Sequence, residues 1–243
     1  GAARARWQLR HGRDVFRHHL GVEPRGCWPS EGALSEPALE LIASEGFEWT
    51  ASGGSVLLNS RGADESQHGA PRPCRHHVYR VREIPVDCFF RDDGLSDLIG
   101  FTYSGWHADD AVANLVHHLE NIAVHCSSPG DCAIVIVLDG ENAWEHYPEN
   151  GIHFLDALYR RLAGHEFLHL DTFSGFRARC RERARLPGLK AGSWVYGTLS
   201  TWIGSPDKNR GWEMLVDAKH AYDHAVAVGE LASDVLERAS RQL

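Results

Sequence analysis

The chain has 243 residues, of which 43% are hydrophobic and 24% charged, a composition typical of a globular protein. Its formal net charge is −8, which argues against a nucleic-acid partner because phosphate contacts require a basic surface. No apolar run is long enough to span a membrane, so no membrane partner is expected. Eight tryptophans would suit stacking on sugar rings, although core packing is the simpler interpretation for any one of them.

The six cysteines are scattered along the chain, and no two form a Cys-x-x-Cys pair. We interpret them as reduced, mostly buried thiols, which favours a cytoplasmic protein. No phosphate-binding loop, dinucleotide fingerprint or serine-hydrolase elbow is present, and no cofactor is predicted. The sequence contains no indication of the oligomeric state.

The predicted elements of the first half alternate between helix and strand. In chain order they are a helix over 5–20, a strand over 25–28, a helix capped by Ser35, a strand over 47–50 and a long surface loop over 52–77. Because a helix connects two strands, this order predicts a parallel α/β architecture.

The second half continues the same pattern. We predict strands over 78–81, 85–90, 132–138 and 167–170, helices over 107–126, 152–162 and 171–185, and a final helical region from Ser205 that is interrupted at Gly229. The segment Cys132–Leu138 is apolar on both faces, which is typical of a central parallel strand.

The richest candidate site follows this apolar segment. It contains the carboxylates and aromatic or imidazole side chains of Asp139, Glu141, Trp144, His146 and Tyr147. Ligands of parallel α/β folds bind beyond the carboxyl ends of the strands, and several carboxylates beside a buried strand are costly. A helix N-terminus decorated with acids is the alternative, but it explains the aromatic residues less easily. We interpret Asp139 as one of two working carboxylates.

A second candidate segment is Gly-Cys-Trp-Pro-Ser-Glu-Gly at 26–32, where a strand delivers Trp28 and Glu31. Taken alone, Glu31 is more typical of a solvated turn residue than of a catalytic one. Its interest lies in the pairing with Asp139, since two carboxylates at one end of a sheet can form a nucleophile or acid/base pair.

Arg91 and Asp92 follow the predicted strand over 85–90, and Trp106 begins the next helix. Arg91 could orient a catalytic carboxylate or bind a sugar hydroxyl. A purely structural Arg–Asp pair is an equal alternative.

Aromatic and small polar residues alternate over 192–204 without a helical period. Trp194, Tyr196 and Trp202 are therefore candidate sugar-stacking residues on a loop. Burial under the carboxyl-terminal helices is the competing interpretation.

The string His165-Glu-Phe-Leu-His169 matches the H-E-x-x-H zinc pattern. That pattern binds zinc only on a helix, where both histidines share a face. Here Gly164 ends the preceding helix and 167–170 is predicted as a strand. We therefore predict no metal site.

These motifs, in this order, resemble glycoside hydrolase family 57. The matching strings are those at 26–32 and 137–147, Phe-Phe-Arg-Asp-Asp-Gly-Leu-Ser-Asp-Leu-Ile-Gly-Phe at 89–101, and Gly-Ser-Trp with Thr-Trp-Ile-Gly within 192–204. The resemblance implies an α/β fold in which residues 1–204 form the carboxyl-terminal part of a (β/α)₇ catalytic barrel, followed by a helical segment over 205–243. It also implies an oligo- or polysaccharide substrate with α-linkages.

The same resemblance implies that Glu31 is the nucleophile and Asp139 the general acid/base of a retaining glycoside hydrolase. An α-glucanotransferase or branching activity at the same site, or a non-catalytic carbohydrate-binding relative, remains an alternative. The family's amino-terminal His-Gln-Pro-type motif has no counterpart here, so the first half of the barrel is expected to be missing and the activity of the isolated chain stays open.

Overall fold

The computed structural model describes residues 1–61, 75–126, 131–229 and 232–242. The chain divides into two compact units, Gly1–Thr198 and Leu199–Leu243. Within the described ranges, no helix combines the length and the apolarity needed to cross a membrane.

The helices of the first unit are α1 (Ala2–Leu20), α2 (Glu36–Ser44), α3 (Gly54–Ser60), α4 (Asp93–Asp97), α5 (Ala108–Val124), α6 (Ile152–Ala163) and α7 (Phe173–Arg179). The predicted helices over 5–20, after Ser35, over 107–126 and over 152–162 are confirmed as α1, α2, α5 and α6, whereas α3 and α4 were not predicted. As predicted, Ser35 caps α2: its hydroxyl accepts a hydrogen bond from the Ala38 N–H over 3.3 Å. In the second unit, α8 (Pro206–Val228) ends at Gly229, whose φ of 72° suits glycine, and α9 (Ser233–Gln242) follows.

A mostly parallel sheet forms the centre of the first unit. Its strands are β1 (Gly26–Cys27), β2 (Trp49–Ser52), β3 (Tyr79–Val81), β4 (Asp87–Phe90) and β5 (Ala184–Leu186), in the spatial order β1-β2-β4-β3-β5. Among the described strands, only β3 and β4 pair antiparallel, because residues 82–86 between them are too few for a parallel crossover. This architecture confirms the predicted α/β class, with a barrel-like parallel sheet followed by carboxyl-terminal helices.

The strand β4 is buried along its whole length, as a central strand requires. Cys88 and Phe90 pack into one apolar cluster, which also contains residues of α2 and α3. Phe89 enters a different cluster that contains Phe176 of α7. Both faces of the sheet are thus covered, and functional side chains are expected beyond the ends of its strands.

The prediction of a strand over Cys132–Leu138 is wrong. The segment makes single backbone hydrogen bonds, from Ala133 N–H to the His76 carbonyl and from Asp92 N–H to the Val135 carbonyl, and no ladder. The physical reason is that β2 and β3 already occupy the two edges of β4. The apolar segment instead packs against the carboxyl end of that strand.

Three further local predictions are corrected. The predicted loop over 52–77 contains α3, while residues 62–74 lie outside the described residues. The predicted helix over 171–185 ends at Arg179 and gives way to β5, which pairs with β3. Residues 167–170 form no strand, since the N–H groups of Phe167 and Leu168 point to the His165 ring.

Cys27, Cys88, Cys126 and Cys180 are free thiols, and Cys74 lies outside the described residues. Burial raises the pKa of Cys27 to about 11. It raises the pKa of Cys88 to about 12, so both thiols stay protonated at neutral pH.

Candidate active site

Glu31 lies in the 3₁₀ turn Ser30–Gly32, directly beyond the carboxyl end of β1, with its side chain exposed. Its φ is 56°, a left-handed conformation that is costly for a residue with a Cβ. The carboxylate Oε2 accepts a hydrogen bond from the Trp194 indole Nε1–H over 3.0 Å. The Trp194 backbone N–H also donates to the Glu31 carbonyl over 3.2 Å, so one residue holds Glu31 at two points.

The loop that carries Trp194 is bound to the loop that carries Glu31. Leu34 N–H donates to the Gly192 carbonyl over 2.8 Å, and Gly192 N–H donates back over 3.1 Å. A Cβ at Gly192 would lie 2.3 Å from the Gly197 carbonyl oxygen, so only glycine fits there. These contacts fix how the two loops are aligned, so that Trp194 faces Glu31.

Trp28 packs its ring edge-on against Trp194, with 5.1 Å between the ring centroids. Gly32 lies beneath it, because a Cβ there would be 2.7 Å from the Trp28 ring. Gly53, beyond the end of β2, leaves room for Trp194 in the same way, since a Cβ at that position would be 2.6 Å from the Trp194 Cα. Glycines at two strand exits therefore allow both tryptophans to approach the sheet edge.

Arg91, beyond the carboxyl end of β4, is buried, and its guanidinium carbon lies 4.7 Å from the Trp194 ring centroid. Its Nε is 3.2 Å from Asp93 Oδ1, and it also forms an ion pair with Asp97. Asp93 in turn accepts hydrogen bonds from the N–H groups of Gly54 and Ser55 over 3.1 and 3.0 Å. The sequence interpretation missed Asp93, although an acid two residues after a strand-end arginine was a usable signal.

The partners of Asp92 are the start of α4 and His76, and not the residues around Glu31. Its Oδ1 accepts a hydrogen bond from Leu95 N–H over 3.0 Å and caps α4, and its Oδ2 is 3.7 Å from His76 Nε2. Burial lowers the pKa of His76 to about 4, and this effect outweighs the nearby Asp92 carboxylate. Asp92 thus has structural partners that account for its burial.

Asp139 is half-exposed at the end of the segment 132–138. The segment contacts the residues beyond β4, since Val135 accepts from Asp92 N–H over 2.7 Å and Val137 N–H donates to Ser96 Oγ over 3.4 Å. Asp139 therefore follows a segment that is bound to the residues just beyond the carboxyl end of β4. Glu141 and His146 are exposed in the turn beyond it.

The aromatic residues of this motif belong to the core. Tyr147 is buried, its hydroxyl donates a hydrogen bond to the Ile99 carbonyl, and burial raises the pKa of this phenol to about 12. Trp144 lies 5.3 Å from the Tyr147 ring, and both contact Phe154. Their presence beside the acids is explained by packing.

Two further predicted residues have other partners. Trp106 packs edge-on against Tyr103, with 5.4 Å between the ring centroids. Trp202 belongs to the second unit, where its carbonyl accepts a hydrogen bond from the Trp212 indole over 2.9 Å. The residues that the structure does bring together are Trp28, Glu31, Arg91 and Trp194.

The H-E-x-x-H string forms no zinc-binding helix. His165 Nε2 is 3.0 Å from Glu120 Oε1, while Nδ1 accepts from the N–H groups of Phe167 and Leu168 over 3.4 and 3.2 Å. Both ring nitrogens are thus engaged. Across the part of the chain that the structure describes, no cluster of three or more potential metal ligands occurs.

A cavity of about 790 Å³ lies between 132–138, α5, α6 and α7. Its walls are mainly apolar and include Ile134, Ile136, Trp144 and Leu158, but contain neither Glu31 nor Asp139. A large cavity without a chemically active pair is a weaker candidate for catalysis than the carboxylate and tryptophan cluster at the sheet edge.

The family model of glycosyl hydrolase family 57 matches residues 2–187, and the chain belongs to this family. No curated protein sequence matches the chain significantly.

Solved structures with a similar fold share little sequence with this chain. The α-amylase AmyC from Thermotoga maritima has a TM-score of 0.69 at 14% identity, over 95% of this chain and 53% of its own. A family 57 branching enzyme from Thermococcus kodakaraensis has a TM-score of 0.63 at 15% identity, over 88% of this chain and 50% of its own. The 4-α-glucanotransferase from Thermococcus litoralis has a TM-score of 0.57 at 17% identity, over 88% of this chain and 31% of its own. The chain thus spans a third to a half of these proteins.

Proposed function

We propose that this chain carries the two catalytic carboxylates of a retaining glycoside hydrolase that acts on α-linked glucans or related α-glycosides. Glu31 is the nucleophile and Asp139 the general acid/base. The observation that carries the proposal is the exposed Glu31 carboxylate, held beside Trp28 and Trp194 at the carboxyl end of a parallel strand. Family membership and the activities named for the three similar structures support the substrate class.

In this mechanism the Glu31 carboxylate attacks the anomeric carbon while Asp139 donates its proton to the departing glycosidic oxygen. The first product leaves as an alcohol, and the glycosyl group stays bound to Glu31 as an ester. Asp139, now a carboxylate, takes a proton from water, whose oxygen attacks the same carbon and releases Glu31. Two inversions retain the anomeric configuration, and the carboxyl groups must lie about 5–5.5 Å apart.

The same site would transfer sugars if an acceptor hydroxyl replaced water in the second step. The similar structures include a glucanotransferase and a branching enzyme besides an amylase, so both outcomes are consistent with the family. Exposed polar side chains beyond Asp139, those of Glu141 and His146, are available to sugar hydroxyls. Tyr196, which is 83% exposed, offers an open aromatic face.

Product analysis on maltooligosaccharides, amylose and glycogen with the full-length protein tests the proposal. We expect Glu31→Gln and Asp139→Asn each to lower turnover by roughly a thousandfold or more. Glu83→Gln is the matched control, because Glu83 is an exposed surface carboxylate paired with Arg185. Wild-type activity in both site variants would remove the assignment, and binding without turnover in the wild type would identify a carbohydrate-binding relative.

A further inference from the structure

We propose that Trp194 is a positioning residue for Glu31, and that its indole N–H fixes one carboxylate oxygen so that the other faces the substrate. This inference rests on the function proposed above, in which Glu31 is the nucleophile. It differs from the expectation from sequence, which treated Trp194 as a surface on which a sugar ring stacks.

Trp194 is attached to Glu31 at two points. Trp194 donates its indole N–H to Oε2 of Glu31 and its backbone N–H to the Glu31 carbonyl. A carboxylate that accepts a hydrogen bond at one oxygen has a restricted side-chain orientation, because rotation would break the contact. The backbone contact holds the left-handed conformation of Glu31, which is unfavourable without a compensating partner.

One face of the Trp194 ring is already occupied by a cation. The Arg91 guanidinium lies over the ring at 4.7 Å from its centroid, and the Trp28 ring packs against it at 64°. A cation above an indole face is a favourable contact that a stacked sugar would have to displace. The ring is therefore better suited to holding Glu31 than to binding substrate.

The arginine over the Trp194 ring, Arg91, is itself held by two carboxylates. Asp93 contacts Arg91 Nε at 3.2 Å and is bound to the start of α3 through the N–H groups of Gly54 and Ser55. Asp97 forms a further ion pair with Arg91. A continuous series of polar contacts thus runs from α3 through Asp93, Arg91 and Trp194 to the Glu31 carboxylate.

Trp194→Phe is the discriminating variant, because phenylalanine keeps an aromatic face for Arg91 and loses the N–H donor. For a positioning residue we expect kcat to fall about tenfold to a hundredfold, the range for a hydrogen bond to a charged group, with KM changed by less than about twofold. An unchanged kcat with a raised KM would overturn the proposal, since that split belongs to a substrate platform.

The matched control is Trp49→Phe. Trp49 also donates an indole hydrogen bond, to Ser174 Oγ over 3.0 Å, but it lies at the amino end of β2, away from Glu31. This variant loses the same kind of bond, and we expect its kcat to match the wild type. A kcat loss equal to that of Trp194→Phe would indicate a general stability effect and overturn the proposal.

A readout that is independent of activity comes from NMR of protein labelled with ¹⁵N-tryptophan. The indole N–H signal that is absent in Trp194→Phe is assigned to Trp194, and we expect it to shift in Glu31→Gln. A signal unaffected by Glu31→Gln would overturn the contact, even in a protein that cleaves α-glucans. A shifted signal in a protein without activity would support the contact while the proposed function fails.

Discussion

Trp194 and Glu31 are 163 positions apart in the chain, and the indole of one donates a hydrogen bond to the carboxylate of the other over 3.0 Å. The contact joins the loop after β5 to the turn after β1. It locates the candidate active site at the carboxyl ends of the parallel strands, which is where ligands bind in such folds. The large apolar cavity of the unit is lined by neither Glu31 nor Asp139.

Gly53→Ala is expected to destabilise the protein by about 1–3 kcal/mol, the typical cost of forcing an extra methyl group into a packed region. The new Cβ would lie 2.6 Å from the Trp194 Cα, a backbone atom that cannot rotate away. Chemical denaturation measures the loss. Gly12→Ala is the control: its Cβ meets nothing within 4 Å in α1, so it should stabilise the protein by about 0.5–1 kcal/mol. Equal effects of the two variants would contradict the steric explanation.

Asp87→Asn is expected to cost about 3–5 kcal/mol, because it removes the charge of a buried carboxylate that is shared by three half-buried arginines. The Asp87 side chain is fully buried at the start of β4 and contacts Arg80, Arg177 and Arg183. The free energy of unfolding from denaturant titration checks this.

An exposed pair of the same charge type serves as the comparison. Asp14 and Arg17 are 2.7 Å apart with both side chains about 60% exposed, so Asp14→Asn should cost less than about 1 kcal/mol. A loss at Asp87 as small as that at Asp14 would show that the three arginines find other partners.

Stability should fall as the pH drops from about 6.5 towards 4 because of His76. Burial favours its neutral form and lowers its pKa to about 4 in the folded chain, whereas the unfolded chain binds the proton near pH 6.5. Between these two pH values the unfolded state therefore binds more protons than the folded state. The contribution of the neutral His76 ring to folding stability is complete only above about pH 6.5. The contribution is on the order of 3 kcal/mol at most.

Denaturation midpoints measured between pH 4 and 7 test this expectation. His76→Gln should flatten the dependence in that window. His153→Gln should leave the dependence unchanged, because His153 is 63% exposed beside Glu149. The same slope in His76→Gln and in the wild type would assign the acid sensitivity to other groups.

Zinc is expected not to bind through the H-E-x-x-H string. His165 would have to break its contacts with Glu120 and with two backbone N–H groups before it could ligate a metal. Elemental analysis after incubation with zinc checks this, with His165→Ala as the comparison. One zinc ion per wild-type chain that is absent from His165→Ala would contradict the expectation.

Local signals in the sequence were sufficient where neighbouring residues determine the structure. The Ser35 cap, the stop at Gly229 and the amphipathic helices α5 and α6 follow from contacts within a few residues. The motif around Glu31 was also identified correctly as a strand exit. The segment Cys132–Leu138 was not, because a local pattern does not show which strands become neighbours, and both sides of β4 are paired, with β2 and with β3.

The sequence by itself determined the family, the alternation of strands and helices, and two candidate carboxylates, Glu31 at a strand exit and Asp139 after an apolar run, since all of these lie in short contiguous strings. Only the tertiary structure decided which aromatic residues belong to the core and which to the site. Trp144 and Tyr147 pack against Phe154, whereas Trp194 reaches Glu31 and is covered by Arg91. The physical reason is that a side chain's partners come from loops distant in the chain, and the order of the strands brings those loops together.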